Sequence, residues 1–181
     1  DIVFLIDGSD SIGPQNFNRM KDFIERMMER MDIGPDWIRV GVVQYSDNPR
    51  QEMRFMFNDY QNKEEILQAI QQMMYWMGGG TNTGEAIQYV VRNMFWEERG
   101  MRWENVPQVM IIITDGRSQD DIRDPINEMR RMAGIQVFAI GIGNHDNNNW
   151  EELREIASEP DEDHVFYVDD FEELDNMQEQ L

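Results

Sequence analysis

The chain has 181 residues, 40% of them apolar and 10% aromatic, which suits one ordinary domain with a sizeable core. Sixteen Lys and Arg against 36 Asp and Glu leave a formal charge of −20, which argues against nucleic acid and anionic membrane surfaces as partners and favours cations and a self-repelling monomer. No apolar run approaches the length of a membrane span, and the absence of cysteine rules out thiolate chemistry and a disulfide framework.

Residue 1 already enters a strand, so no signal peptide is visible, and a secreted form would have had its targeting segment removed. "IVFLI" (2–6) reads as a buried strand ended by Asp7-Gly8. Phe17, Met20, Ile24, Met27, Met28 and Met31 recur at helical spacing. "WIRVGVVQY" (37–45) reads as a strand and "QEMRFMF" (51–57) as its hairpin partner across Asp47-Asn48-Pro49. Helical patterns follow at 63–76 and 84–97, then the buried strand "QVMIIIT" (108–114). A helix at 121–132, the strand "IQVFAIGIG" (135–143), a helix at 149–157, the strand "HVFYV" (164–168) and an amphipathic helix from Asp170 complete the chain. Strands alternating with helices predict an α/β fold: a doubly wound, mostly parallel sheet with one antiparallel edge strand, helices on both faces, and a single domain over 1–181.

In open α/β sheets, sites form at the carboxyl ends of the strands. Three loops expected there carry hard oxygens: Asp7-x-Ser9-x-Ser11, Thr81 within "GGGTNTG", and Thr114-Asp115-Gly116. Each has an ordinary explanation: Ser9 or Ser11 capping the first helix, Thr81 or Thr83 capping the 84–97 helix, and Asp115-Gly116 making a turn. Together, on one rim of the sheet, they suit Mg²⁺, which takes oxygen ligands in near-octahedral geometry and keeps several waters. Neutral hydroxyls leave such an ion electrophilic, able to accept a carboxylate from outside.

On these residues the chain resembles the von Willebrand factor type A family, and within it the I domain of integrin alpha subunits. "DIVFLIDGS", "FNRMKDF", "IITDG", "DHVF" and "NMQEQL" are similar to the leukocyte alpha-M and alpha-X type, while "MDIGP", "VGVVQY" and "TNTGEAIQYV" are closer to collagen-binding integrins or matrix A domains. The resemblance spans Asp1 to Leu181. It implies a Rossmann-like fold and a metal-ion-dependent adhesion site formed by Asp7, Ser9, Ser11, Thr81 and Asp115. In that site Mg²⁺, or Mn²⁺ as a substitute, would take a Glu or Asp carboxylate from an extracellular protein. It further implies a switch: Asp115 near and Thr81 set back at rest, the reverse when ligand binds, coupled to movement of the helix at 170–181. The family's last helix usually runs past the position of Leu181 into an apolar latch, so the domain is expected to open easily.

Collagen binding is not expected, because "GIGNHDNNNWEEL" leaves little room for the extra helix that collagen-binding I domains carry. "NHDNNN" reads as a turn-rich loop, Arg117 as a loop charge or a cation near the site, and "DDFEELDNMQEQ" as a solvated helix face. His145 and His164 are isolated and suit loop and strand-edge roles. Fifteen methionines against only Lys21 and Lys63 also fit a sequence drawn from a family profile, which would keep the metal site without a native partner. A Mg²⁺-dependent phosphohydrolase is the remote alternative. It needs an acid where Ser9 stands and a Lys near the site, so no enzymatic activity is expected.

Overall fold

A computed structural model describes residues 1–47, 53–102, 104–132, 134–143 and 149–174. The strands are β1 (Ile2–Asp7), β2 (Val40–Tyr45), β3 (Met53–Phe55), β4 (Gln108–Thr114), β5 (Ile135–Ile142) and β6 (Val165–Val168). The helices are α1 (Gly13–Glu29), α2 (Lys63–Gln71), α3 (Thr83–Asn93), α4 (Arg123–Arg131), α5 (Asn149–Ile156) and the short α6 (Asp161–His164). The sheet order is β3-β2-β1-β4-β5-β6. Five strands from β2 to β6 run parallel, and β3 lies antiparallel to β2 at the edge, with a register shift between Val42 and Val43.

Successive side chains of a strand point to opposite faces, and here both faces are buried. Phe4, Ile6, Ile111, Ile113 and Ile140 pack with α1 and α2 on one side. Val3, Leu5, Met110, Ile112 and Ala139 pack with α3, α4 and α5 on the other. This is why β1 and β4 read as unbroken apolar runs rather than alternating ones. Truncating one of the large aliphatic residues among these, for example Ile113→Ala, costs about 2–5 kcal/mol.

β1 and β4 are neighbours, yet β1 leads by way of α1 to β2 on one side and β4 by way of α4 to β5 on the other. The connections diverge there and leave a crevice at the carboxyl ends, the usual ligand position in such sheets.

Several elements differ from expectation for local reasons. The helix expected to 76 ends at Gln71, because Lys21 Nζ donates to the carbonyls of Gln71 and Met73 and the chain then leaves the helix. The helix expected to 97 ends at Asn93, and a 3₁₀ turn follows at Glu97–Arg99. β2 starts at Val40 rather than Trp37, since Ile38 bridges back to Ile33 and leaves Trp37 outside. The turn at Asn48-Pro49, the "NHDNNN" loop with His145, and positions 175–181 of the last helix fall outside the described residues. At the start of that segment Phe171 and Leu174 are buried against the α1 face. His164 directly precedes the edge strand β6, as expected, but is buried: its ring lies tilted against Phe138, with Nδ1 on the Pro160 carbonyl at 2.9 Å and Nε2 on the Gln136 amide at 2.7 Å.

Candidate metal site

Asp7 ends β1 and is fully buried. Its Oδ1 accepts the Ser9 N–H at 2.8 Å, and its Oδ2 accepts the Thr114 hydroxyl at 2.7 Å. Thr114 is there because Ile6 pairs with Ile113, so the two strand ends come side by side. Burial pushes the Asp7 carboxyl up to about 6, although the Thr114 and Ser9 hydrogen bonds pull the other way and nearby Asp115 adds to the rise.

After Gly8 the chain turns along the segment before Thr81. Ser9 bridges to Gly78, Asp10 N–H donates to the Gly78 carbonyl at 2.9 Å, and Tyr75 OH donates to the Ser9 carbonyl at 2.7 Å. Gly78 is required there, because a Cβ would run into the Ser46 side chain.

The Ser9 and Ser11 hydroxyls lie 3.1 Å apart, and Ser11 donates to Asp115 Oδ1 at 2.9 Å. Each hydroxyl has one proton. Ser11 uses its own on Asp115, and the Ser9 hydroxyl lies within reach of both Ser11 and Asp7. Asp115 follows the end of β4, and burial raises its pKa, opposed by Ser11 and reinforced by Asp10.

Thr81 is buried in the loop before α3, and its carbonyl accepts the Gln119 N–H at 2.8 Å. Its hydroxyl would lie 3.8 Å from a Cβ built on Gly116, which places it against the Asp115-Gly116 turn. The structure thus joins Asp7, Ser9, Ser11 and Asp115 through direct hydrogen bonds or through Thr114, with Thr81 beside the third loop.

The capping explanations do not hold. α1 and α3 have Ile12 and Asn82 at their N-caps, neither making a side-chain cap bond, and the Thr83 hydroxyl pairs with Tyr45 OH at 3.2 Å. Arg117 sits 3.5 Å from Glu152, so it answers a neighbouring acid.

Three contributors escaped the sequence reading. Thr114, in the Thr-Asp-Gly motif, orients Asp7. Tyr75 links the first loop to α1, accepting the Gly13 N–H at 3.2 Å and packing on Phe17. Asp120 accepts the Gly84 and Glu85 N–H groups at 2.9 and 2.7 Å and ties the third loop to the start of α3. Only Thr114 had a signal, its place beside Asp115; the other two depend on contacts more than 30 residues away.

The donor set suits a hard divalent cation. Two carboxylates with raised pKa values, Asp7 fully buried and Asp115 partly so, face three hydroxyls, and the oxygens match what Mg²⁺ or Mn²⁺ takes. Among the described residues no three of His, Cys, Asp and Glu converge, so a histidine-rich or all-carboxylate cage is not what this rim offers.

A parallel α/β sheet with an oxygen-lined crevice at its central strand ends defines a class of ion- or ligand-binding domains. The chain matches the von Willebrand factor type A domain over residues 1–180 and belongs to that family. It is 41% identical to matrilin-1 of Gallus gallus over 98% of this chain and 35% of that protein. It is 44% identical to the collagen alpha-1(XII) chain of Notophthalmus viridescens over 98% of this chain and 18% of that one. It therefore spans about a third or less of these relatives. Among solved structures it is similar to proximal thread matrix protein 1 of the mussel byssus, at 29% identity and TM-score 0.88, covering 98% of this chain and 46% of that one. A further structure of that mussel protein, also at 29% identity and TM-score 0.88 and covering 99% and 46%, has a zinc-occupied MIDAS motif. These relatives correct the integrin part of the resemblance: the kinship runs to matrilins and collagen chains, the side signalled by "MDIGP", "VGVVQY" and "TNTGEAIQYV". Nothing in them supports a profile-derived origin.

Proposed function

We propose that residues 1–181 form one non-catalytic ligand-binding module of the extracellular matrix, monomeric in isolation, whose rim holds a divalent cation. Ser9, Ser11, Thr81, Asp7 and Asp115 would hold it, with Mg²⁺ the physiological choice and Mn²⁺ a substitute. When bound, it supplies a Lewis-acidic vertex for a Glu or Asp carboxylate of a partner protein. The observation that carries this reading is the pair of carboxylates at the rim, Asp7 fully buried and Asp115 partly so, both raised in pKa by burial and held, among the described residues, by hydroxyl and backbone N–H donors.

The protein's own groups have distinct tasks. Thr114 and the Ser9 N–H orient Asp7. The 2.9 Å Ser11–Asp115 bond suits the resting arrangement that the family resemblance implies, in which Asp115 stays near the ion. Competence for ligand requires breaking that bond and bringing Thr81 forward, a two-state change that ligand would bias. The zinc-occupied motif of the mussel protein supports a divalent cation in this fold. The matrilin and collagen relatives support a matrix setting.

No observation favours the phosphohydrolase. Lys21 is engaged at the end of α2, and Lys63 Nζ donates to the Glu29 carbonyl at the far end of α1 from the rim.

Titration calorimetry with Mg²⁺, Mn²⁺ and Zn²⁺ tests the proposal. One bound ion is expected, with affinity lowered about 10–100-fold or more in Ser11→Ala and Asp115→Ala. A folded protein that takes up none of the three, or variants that bind as the parent does, would overturn it.

A further inference from the structure

Past the end of α2 the chain does not continue as helix. It runs without helix or strand through Met73–Met77 before pairing with Ser9 at Gly78. Met73 and Tyr75 turn inward, Met73 buried and Tyr75 packed on Phe17. Met74 and Trp76 face outward, joined by Met77, with exposures of 64%, 49% and 74%. Large apolar side chains exposed together on one short segment mark an interaction surface more often than chance.

Two further observations say what covers it. First, the strip runs directly into the metal rim: Gly78 bridges Ser9, Trp76 O accepts from Gln44, and Tyr75 OH donates to the Ser9 carbonyl. Three residues span at most about 10 Å even when fully extended, so Met74 to Met77 lie within reach of a short peptide whose acid sits at the rim. Second, residues 66–84 carry no charged side chain, in a chain that is 29% charged with a net −20. The strip itself adds no charge that repels an acidic ligand, leaving Asp10 and Asp47, which flank Gly78, as the acids beside it. The same net charge disfavours a second copy of the chain as the occupant.

Building on the metal-site reading, we infer that Met74, Trp76 and Met77 form a specificity surface for a partner segment that carries a large apolar or aromatic side chain within one to three residues of its metal-binding acid. The acid supplies the metal-dependent part of the binding, and the apolar neighbour selects among acidic segments by burying itself on the strip.

The test compares two short synthetic peptides with blocked ends, each holding one Glu among Ser and Gly. One carries Phe two residues from the Glu and the other carries Ser there. With saturating Mn²⁺, the Phe peptide is expected to bind about tenfold more tightly, as burial of one large apolar side chain allows. In the double variant Trp76→Ser and Met77→Ser that preference is expected to vanish while Mn²⁺ uptake stays as in the parent. Trp37→Ser removes a Trp that is 68% exposed near the start of β2, at the opposite end of the sheet, and should leave the preference intact. Equal binding of both peptides, an unchanged preference in the double variant, or a variant effect on self-association instead of peptide choice overturns the inference and leaves the metal reading standing. Absence of any Mn²⁺ uptake overturns both.

Discussion

β1 has a buried aspartate at each end, and the two are treated in opposite ways. Asp1, just before the strand, is held by Arg102: Nε at 3.0 Å and Nη2 at 2.5 Å on Oδ1, with the Arg102 N–H at 2.8 Å on Oδ2. Gln108 Nε2 adds a weaker contact at 3.3 Å. Asp7, six residues on, is as deeply buried but receives, among the described residues, only neutral donors: the Thr114 hydroxyl and the N–H and hydroxyl of Ser9. A buried charge needs a partner of opposite sign or it resists ionisation. One end of the strand has its cation built into the chain. The other leaves that role to something from outside.

Removing Arg102 should have the largest consequence. Arg102→Met strands a buried carboxylate and is expected to cost about 3–5 kcal/mol in urea unfolding, with Mn²⁺ uptake unchanged because the rim lies at the other end of β1. If uptake fell in step with stability, the two ends would not be independent.

The pH dependence of the metal-free protein comes next. The folded-state pKa of Asp7, about 6, lies above its ordinary value of 3.8. The folded state therefore favours the protonated acid. Its contribution to stability is fully present below 3.8 and is lost as pH rises through about 6, a change on the order of 3 kcal/mol. In chelator, thermal unfolding from pH 4 to 7 should show this decline, and Asp7→Asn should flatten it. A profile identical in parent and variant would remove the contrast between the two aspartates.

Smaller effects sharpen the picture. Tyr75→Phe deletes the hydroxyl that donates to Ser9 and accepts from Gly13, at a cost of about 1 kcal/mol, with a modest fall in metal affinity as the first loop loosens. Arg117→Ala should change stability by less than about 0.5 kcal/mol, since Arg117 is exposed and only 3.5 Å from Glu152. A larger loss of metal affinity in Arg117→Ala than in Tyr75→Phe would mean that Arg117, not the Tyr75 link, governs the rim.

The sheet was legible because its central strands are buried on both faces. Such strands must be apolar throughout, and "IVFLI" and "VMIII" can hardly be anything else in a chain this charged. Two of the three loops were legible for a related reason: oxygen-bearing residues placed directly after buried strands, as Asp7-x-Ser9-x-Ser11 after β1 and Asp115 after β4, are costly unless they are used, whereas Thr81 lies between α2 and α3 rather than at a strand end. Less visible were the limits of α2 and β2. Helical spacing continues to residue 76, but Lys21 captures the last carbonyls and Tyr75 is drawn toward Phe17 and Ser9, so tertiary contacts outweigh a weak local propensity. The exposed strip follows from that early ending. Had α2 run on to residue 76, Met74 and Trp76 would sit on a helix rather than on a segment leading to the rim.

What the amino-acid order determined alone was the alternation of elements, the burial of the strands and the types of oxygen available at their ends, because hydrophobic period and residue chemistry are local properties. The fold decided which oxygens meet. Ser11 reaches Asp115 across 104 positions of sequence, and Thr114 reaches Asp7 across 107. Those meetings exist only because β1 and β4 lie side by side, and pairing between distant strands is set by how the whole core closes, not by either segment on its own.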